Sequence, residues 1–99
     1  DAILMDPPSF GHGAKGEVWK FHTHFPLLLE ECAALLSDTP LFVVVNAYAV
    51  SVSSLLLFTM LDETFTKRPG ETSCGELLLK QENSSRLLST GIFGRRSFR

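Results

Sequence analysis

Asp6 is the residue of this 99-residue chain best placed to do chemistry. It closes a short apolar run, Ala2-Ile3-Leu4-Met5, and is followed by Pro7, Pro8, Ser9 and Phe10. The two prolines fix their own φ and donate no hydrogen bond. A carboxylate therefore stands at the root of a rigid loop, with an aromatic ring beyond it. In open α/β sheets, ligands bind at loops of this kind, outside the carboxyl ends of the strands. Gly11, Gly13 and Gly16 follow, then Trp19 and Phe21 among Lys15, Lys20, His12, His22 and His24. Cations for phosphate and aromatic rings for an unpaired base would make this segment a substrate loop. For Trp19 itself the structural alternative, a ring that pins the loop to the next helix, is favoured. The three histidines lack a second cluster or carboxylate spacing, so they are read as loop or helix-start groups and no metal site is assigned. Asn46 and Tyr48 follow a second apolar run. They offer a donor with an acceptor, and a ring with a hydroxyl. Asn46 as a plain turn or cap residue is an equally open reading.

These residues need elements to position them. Ala2 to Met5 is too short for a self-standing helix and suits a parallel strand buried on both faces, stopped at Asp6 by the prolines. Gly11 to His24 reads as loop. Phe25 to Leu36 reads as a helix with Pro26 in its first turn, where the missing N–H costs nothing. Leu41 to Val45 is β-branched and continuous, a second central parallel strand. Its carboxyl end would then lie beside that of the first, so the Asp6 and Asn46 tips could line one pocket. Leu55, Phe58, Leu61 and Phe65 recur at helical spacing within Ser51 to Phe65, with Ser51 as N-cap. Lys67 to Ser73 is a loop with a Pro-Gly turn signal. Cys74 to Gln81 and Arg86 to Phe93 form an antiparallel hairpin about the turn Glu82 to Ser85. The closing GRRSFR is basic and reads as an exposed, frayed terminus. The order strand, helix, strand, helix, hairpin is that of the carboxyl-terminal half of a doubly wound α/β sheet.

Three stretches, DPPSFGHGAKGEVWKF, LLSDTPLFVVVNAY and SSRLLSTGIF, taken in order, resemble class I S-adenosylmethionine (SAM)-dependent methyltransferases. DPPSF is similar to their motif IV, and the longer match is to the bacterial branch that methylates ribosomal RNA. The resemblance covers nearly the whole chain. It implies a Rossmann-like half-domain over residues 1–99, SAM as methyl-donating cosubstrate, and RNA as partner. Asp6, Pro7, Pro8 and Phe10 would be catalytic, with Asp6 also touching the cofactor. Ser9, Lys15, Trp19, Lys20, Asn46 and Tyr48 would face substrate. Relatives that methylate carbon-5 of pyrimidines need a cysteine nucleophile at the motif IV loop or the next strand tip. Ser9 and Asn46-Ala47-Tyr48 occupy those places, with Cys32 and Cys74 elsewhere, so transfer to nitrogen is expected. Neither a Gly-rich turn after a first strand nor the acidic residue that holds ribose hydroxyls is present. Gly11-His12-Gly13 is no dinucleotide fingerprint. The chain alone is thus expected to be inactive, and its opening at Asp1 without a methionine suggests a piece of a longer protein.

Composition bounds the alternatives. The hydrophobic fraction of 44% and charged fraction of 20% belong to a globular domain and exclude a disordered segment. A net charge of −2 supplies no global basic field for nucleic acid. Two distant cysteines give no secreted disulfide framework, and no signal peptide or membrane-spanning run is present, so a soluble cytoplasmic protein with reduced thiols is expected. Two other functional classes fit the same residues. One is a catalytically inactive methyltransferase-like domain that binds RNA or a protein; the other is a small α/β domain whose Asp-Pro-Pro is only a rigid turn. Half a sheet would also leave the Ala2–Met5 strand with an unpaired edge, which invites self-association.

Overall fold

The computed structural model describes residues 1–98. Strand β1 (Ala2–Met5) leads through the Asp6–Ser9 loop into a small hairpin, β2 (Phe10–His12) and β3 (Val18–Lys20), which hands directly to helix α1 (Phe21–Leu35). Then come β4 (Phe42–Ala47), α2 (Ser54–Thr64) and a long hairpin, β5 (Glu71–Lys80) with β6 (Leu87–Ser97). The main sheet has the order β1-β4-β6-β5, with β1 and β4 parallel and β6 inserted antiparallel between β4 and β5. This is the expected α/β half-sheet ending in an antiparallel hairpin.

One face of the sheet carries the core. Val43, Val45 and Ala47 of β4 point at Phe21, Phe25 and Leu29 of α1 and Leu57 and Leu61 of α2, all buried. Phe21 and Phe25 stack at 4.7 Å, so the i, i+4 spacing through Leu29 is what seats α1. The opposite face is bare, and that corrects the reading of β1 as buried on both faces. Leu4 is 72% exposed and Ala2 is exposed, whereas Ile3 and Met5 pack on the core. Both helices lie on one side of the sheet, and β1 is an outer strand with β4 as its one neighbour.

Other boundaries moved for physical reasons. Gly11 to His24 is not a loop. Gly16, at φ 82°, turns the small hairpin, and the Phe21 N–H is caught by the Ser9 carbonyl at 3.1 Å, so α1 starts four residues before Phe25. Pro26 consequently sits inside the helix rather than in its first turn. The N-cap of α2 is Ser53, not Ser51. β4 runs on through Asn46 and Ala47, which places Asn46 in the ladder opposite Phe93. β5 begins at Glu71, within the expected 67–73 loop.

The largest correction concerns the basic tail. Gly94 to Ser97 are not frayed but form the β4-facing part of β6. Gly94 lets α2 approach the sheet, since a Cβ there would lie 2.8 Å from the Leu57 Cβ. Arg96 is buried beneath α2. Its guanidinium donates to the Asp62 carboxylate at 3.0 Å, the Thr72 hydroxyl at 2.8 Å and the Arg68 carbonyl at 2.7 Å. Arg99, the last residue of that tail, lies outside the described residues.

Candidate functional site

The parallel pairing of β1 with β4 sets the site. Met5 lies opposite Val45, so Asp6 and Asn46 leave the last paired position of adjacent strands side by side. The Asp6 carboxylate is exposed and makes no hydrogen bond or ion pair with the other described residues. Pro7 is buried, which anchors the loop, while Pro8 is exposed. The loop cannot brace itself through proline N–H groups, and the braces come from the small hairpin instead. The Trp19 indole N–H donates to the Pro8 carbonyl at 2.6 Å, and Ser9 is held through its carbonyl by Phe21.

Trp19 therefore takes the pinning role. It is half-buried, and its ring stacks on His24 at 5.6 Å. His24 in turn holds its Nδ1 against the Lys20 backbone, 2.9 Å from the N–H and 3.1 Å from the carbonyl, at the start of α1. Phe10 stands across the loop in β2, 54% exposed and edge-on to His12 at 5.0 Å. Lys15 at the hairpin tip and Lys20 at its base are exposed and form no ion pair with the other described residues.

The register brings Asp6 and Asn46 to adjacent strand ends and leaves Tyr48 apart. Asn46 is half-buried in β4. The Tyr48 ring leans the other way, over β6, where a Cβ on Gly91 would meet its Cδ1 at 2.6 Å. Next to it Ala49 holds a left-handed φ of 52°, an uncommon conformation for a residue with a Cβ. This turn follows the carboxyl end of β4, and no sequence signal announced it. His12, His22 and His24 do not converge: His22 packs edge-on to Phe21, and the other two are engaged as described. Among the described residues no group of three His, Cys, Asp or Glu side chains could hold a metal.

Neither cysteine is near the loop. Cys32 lies in α1 and Cys74 in β5. Burial, and secondarily the Glu31 carboxylate, push the Cys32 thiol above its ordinary value. A groove of about 670 Å³ lies elsewhere, between the two helices, lined by Phe21, His22, Pro26, Glu30, Leu56 and Glu63 among others. None of the candidate site residues lines it. Among the described residues no helix is long and apolar enough to cross a membrane.

No family model matches the chain, and no curated protein matches it. Among solved structures, a SAM-dependent methyltransferase from Agrobacterium tumefaciens aligns over 100% of this chain and 33% of its own, with 36% identity and a TM-score of 0.94. SMU.776, assigned as a methyltransferase and complexed with SAH, aligns over 97% of this chain and 26% of its own, with 20% identity and a TM-score of 0.60, a likeness of fold. The chain thus spans about a third of the length of the first of these proteins.

Proposed function

We propose that this chain, which has the fold of part of a class I SAM-dependent methyltransferase, forms the carboxyl-terminal, substrate-facing part of such an enzyme's catalytic domain. The reaction in this reading is methyl transfer to an amino nitrogen of a nucleic-acid base, in ribosomal RNA. The observation that carries it is Asp6, a free, exposed carboxylate at a parallel strand tip, on a loop whose shape is fixed by Pro7 and Trp19.

SAM, when bound, supplies an already activated methyl group. Of the residues here, Asp6 fits a contact to it. A full pocket needs a Gly-rich turn between a strand and a helix. Among the described residues, β3 joins α1 directly and the β4–α2 connection holds no glycine. The chain's own contribution is therefore alignment and exclusion of water. Asp6 and the Pro7 carbonyl accept the N–H groups of the target amine and aim its lone pair. Pro8 keeps the loop stiff, and Ser9 and Asn46 flank it with polar groups. The exposed face of Phe10 stacks on the base, worth about 1–3 kcal/mol. Lys15 and Lys20 meet phosphates, while Tyr48, turned over β6, takes no part in the contact. The absence of cysteine from both tips favours nitrogen over carbon-5 as the acceptor.

The test is transfer of labelled methyl from SAM to ribosomal RNA by a protein that joins this chain to a Gly-rich cofactor half. Asp6→Ala should abolish turnover and leave SAM binding largely intact. Retained turnover overturns the assignment. RNA binding without any turnover in the unaltered protein would instead support the inactive, binding-only reading. The 99-residue chain alone should not transfer methyl.

A further inference from the structure

The carboxyl-terminal part of β5 is an unsatisfied edge that matches itself. β4 pairs with β6 only as far back as Ile92, whereas β5 pairs with it back to Leu87. Leu77 to Lys80 and Leu87 to Gly91 consequently project past the sheet as a two-stranded ribbon. Its leucines lie in the open: Leu78 is 49% exposed, Leu79 61%, Leu87 59% and Leu88 63%. A two-stranded ribbon is marginal by itself. β5 is also the outermost strand, so its far side presents a row of backbone groups with no strand neighbour among the described residues.

The residues on that edge read Glu76-Leu77-Leu78-Leu79-Lys80. Both charged side chains are exposed, and neither forms an ion pair with the other described residues. If two copies of the strand run antiparallel with Leu78 opposite Leu78, Glu76 of each falls opposite Lys80 of the other, and Leu77 opposite Leu79. Side chains directly opposite in an antiparallel pair share a face. Each ion pair would then flank the Leu78–Leu78 contact on one face, and the Leu77–Leu79 pairs would cover the other. The β-bulge of the hairpin falls on β6, between the partners of Leu77 and Leu78, so β5 itself stays regular and can accept a neighbour.

We propose that Glu76–Lys80 of β5 is a homodimerisation edge, on which a second copy of this chain pairs antiparallel about Leu78 with reciprocal Glu76–Lys80 contacts. The interface is isologous, with a two-fold axis through Leu78. It turns two projecting ribbons into one four-stranded sheet of order β6-β5-β5-β6 and sets Leu77, Leu78 and Leu79 of the two copies side by side. The bare β1 edge carries no such charge code, since Ala2 to Met5 has no ionisable side chain.

Sedimentation equilibrium on the 99-residue chain and its charge variants tests this. The unaltered chain should dimerise at micromolar concentration. Lys80→Glu sets two carboxylates against each other at both ends of the paired segment, and Glu76→Lys does the same with two ammonium groups. Each variant alone should raise the dimer dissociation constant by about tenfold or more. An equimolar mixture of the two should recover a heterodimer, because every cross-strand pair then has opposite signs. The double variant Glu76→Lys/Lys80→Glu should recover the homodimer. Both positions are exposed and the substitutions leave the core untouched, so unchanged melting temperatures confirm folding. A monomeric unaltered chain, single variants that dimerise as before, or no recovery in the mixture and the double variant would each overturn the proposal.

Discussion

Asp6 and Arg96 are both ionised side chains of one sheet and its loops, and they sit in opposite circumstances. The Arg96 guanidinium is 7% exposed and donates to one carboxylate, one hydroxyl and two backbone carbonyls supplied by residues between Asp62 and Thr72. Its ring-side neighbour is Phe98, at 5.9 Å, and its Nε is buried without a partner among the described residues. Asp6 is exposed and has no partner among the described residues. Burying a charge is costly unless it is paired and hydrogen-bonded, so Arg96 exists in that place because the surrounding chain satisfies it. Asp6 makes no such contribution to the fold. Its loop is instead held in shape by neighbours that leave the carboxylate alone. A polar group committed to stability and one left unengaged are told apart by who holds them, not by residue type.

The contrast breaks first at Arg96. Arg96→Ala strands the Arg68 carbonyl under α2 and takes the cation away from Asp62, whereas the Phe65 carbonyl keeps the Arg68 N–H at 2.9 Å and Asp62 keeps the Thr72 hydroxyl at 2.9 Å. It should cost about 2–3 kcal/mol, toward the lower end for a buried pair because Asp62 is itself 52% exposed. Thermal melting should show a fall of more than about 10 °C for a domain of this size. Asp62→Asn should cost less, about 1 kcal/mol, since the carbonyl and hydroxyl contacts survive. If both variants melt alike, the ion pair rather than the network carries the region.

Gly94→Ala probes the same region through packing. The added methyl would meet the Leu57 Cβ at 2.8 Å and the Leu61 Cδ1 at 3.0 Å, and both leucines are fully buried. Overpacking of this kind costs about 1–3 kcal/mol. Chemical denaturation should show a lower midpoint with an unchanged slope.

The two regions also differ in how readable they are. Continuous apolar runs announced β1 and β4, apolar residues at helical spacing and an apolar run opened by Pro26 announced the helices, and the prolines announced where β1 stops. The tip carrying Asp6 was legible because proline chemistry is local. The end of β6 was not. Gly94, Arg95, Arg96 and Ser97 look like a solvated tail, and the burial of Arg96 depends on acceptors some thirty residues away that no local window contains. The small hairpin was missed because each of its strands is three residues long and its turn is glycine-rich. The early start of α1 had a signal in the i, i+4 spacing of Phe21, Phe25 and Leu29, masked by the intervening histidines. The orientation of Tyr48 over Gly91 had none, because it follows from a strand insertion that joins distant segments.

Trp19 is the bridge between the two kinds of residue, structural in its bonding and in contact with the loop proposed to carry the chemistry. Trp19→Phe keeps most of the ring and removes the N–H that reaches the Pro8 carbonyl. Stability should fall by about 1 kcal/mol, the net worth of one hydrogen bond. Methyl transfer by the assembled enzyme should fall further than that loss of folded protein explains, because the Asp-Pro-Pro loop loses its external brace. Equal losses in stability and activity would make Trp19 a packing residue and nothing more.

The smallest expected effect on the fold is the most informative. Asp6→Asn preserves shape and removes the charge from a side chain that is exposed and makes no ion pair with the described residues. Surface substitutions of this kind change stability by no more than about 0.5 kcal/mol. The melting curve should therefore superimpose on that of the unaltered chain, while methyl transfer by the assembled enzyme collapses. An Asn side chain can still accept one hydrogen bond from an amine, but its own NH₂ opposes the second and it lacks the charge that strengthens both. A measurable loss of stability would mean that Asp6 has a folding role its surroundings do not reveal, and the division between Asp6 and Arg96 would fail. An unmoved melting curve with unmoved turnover would leave the division standing and take the chemistry away from Asp6.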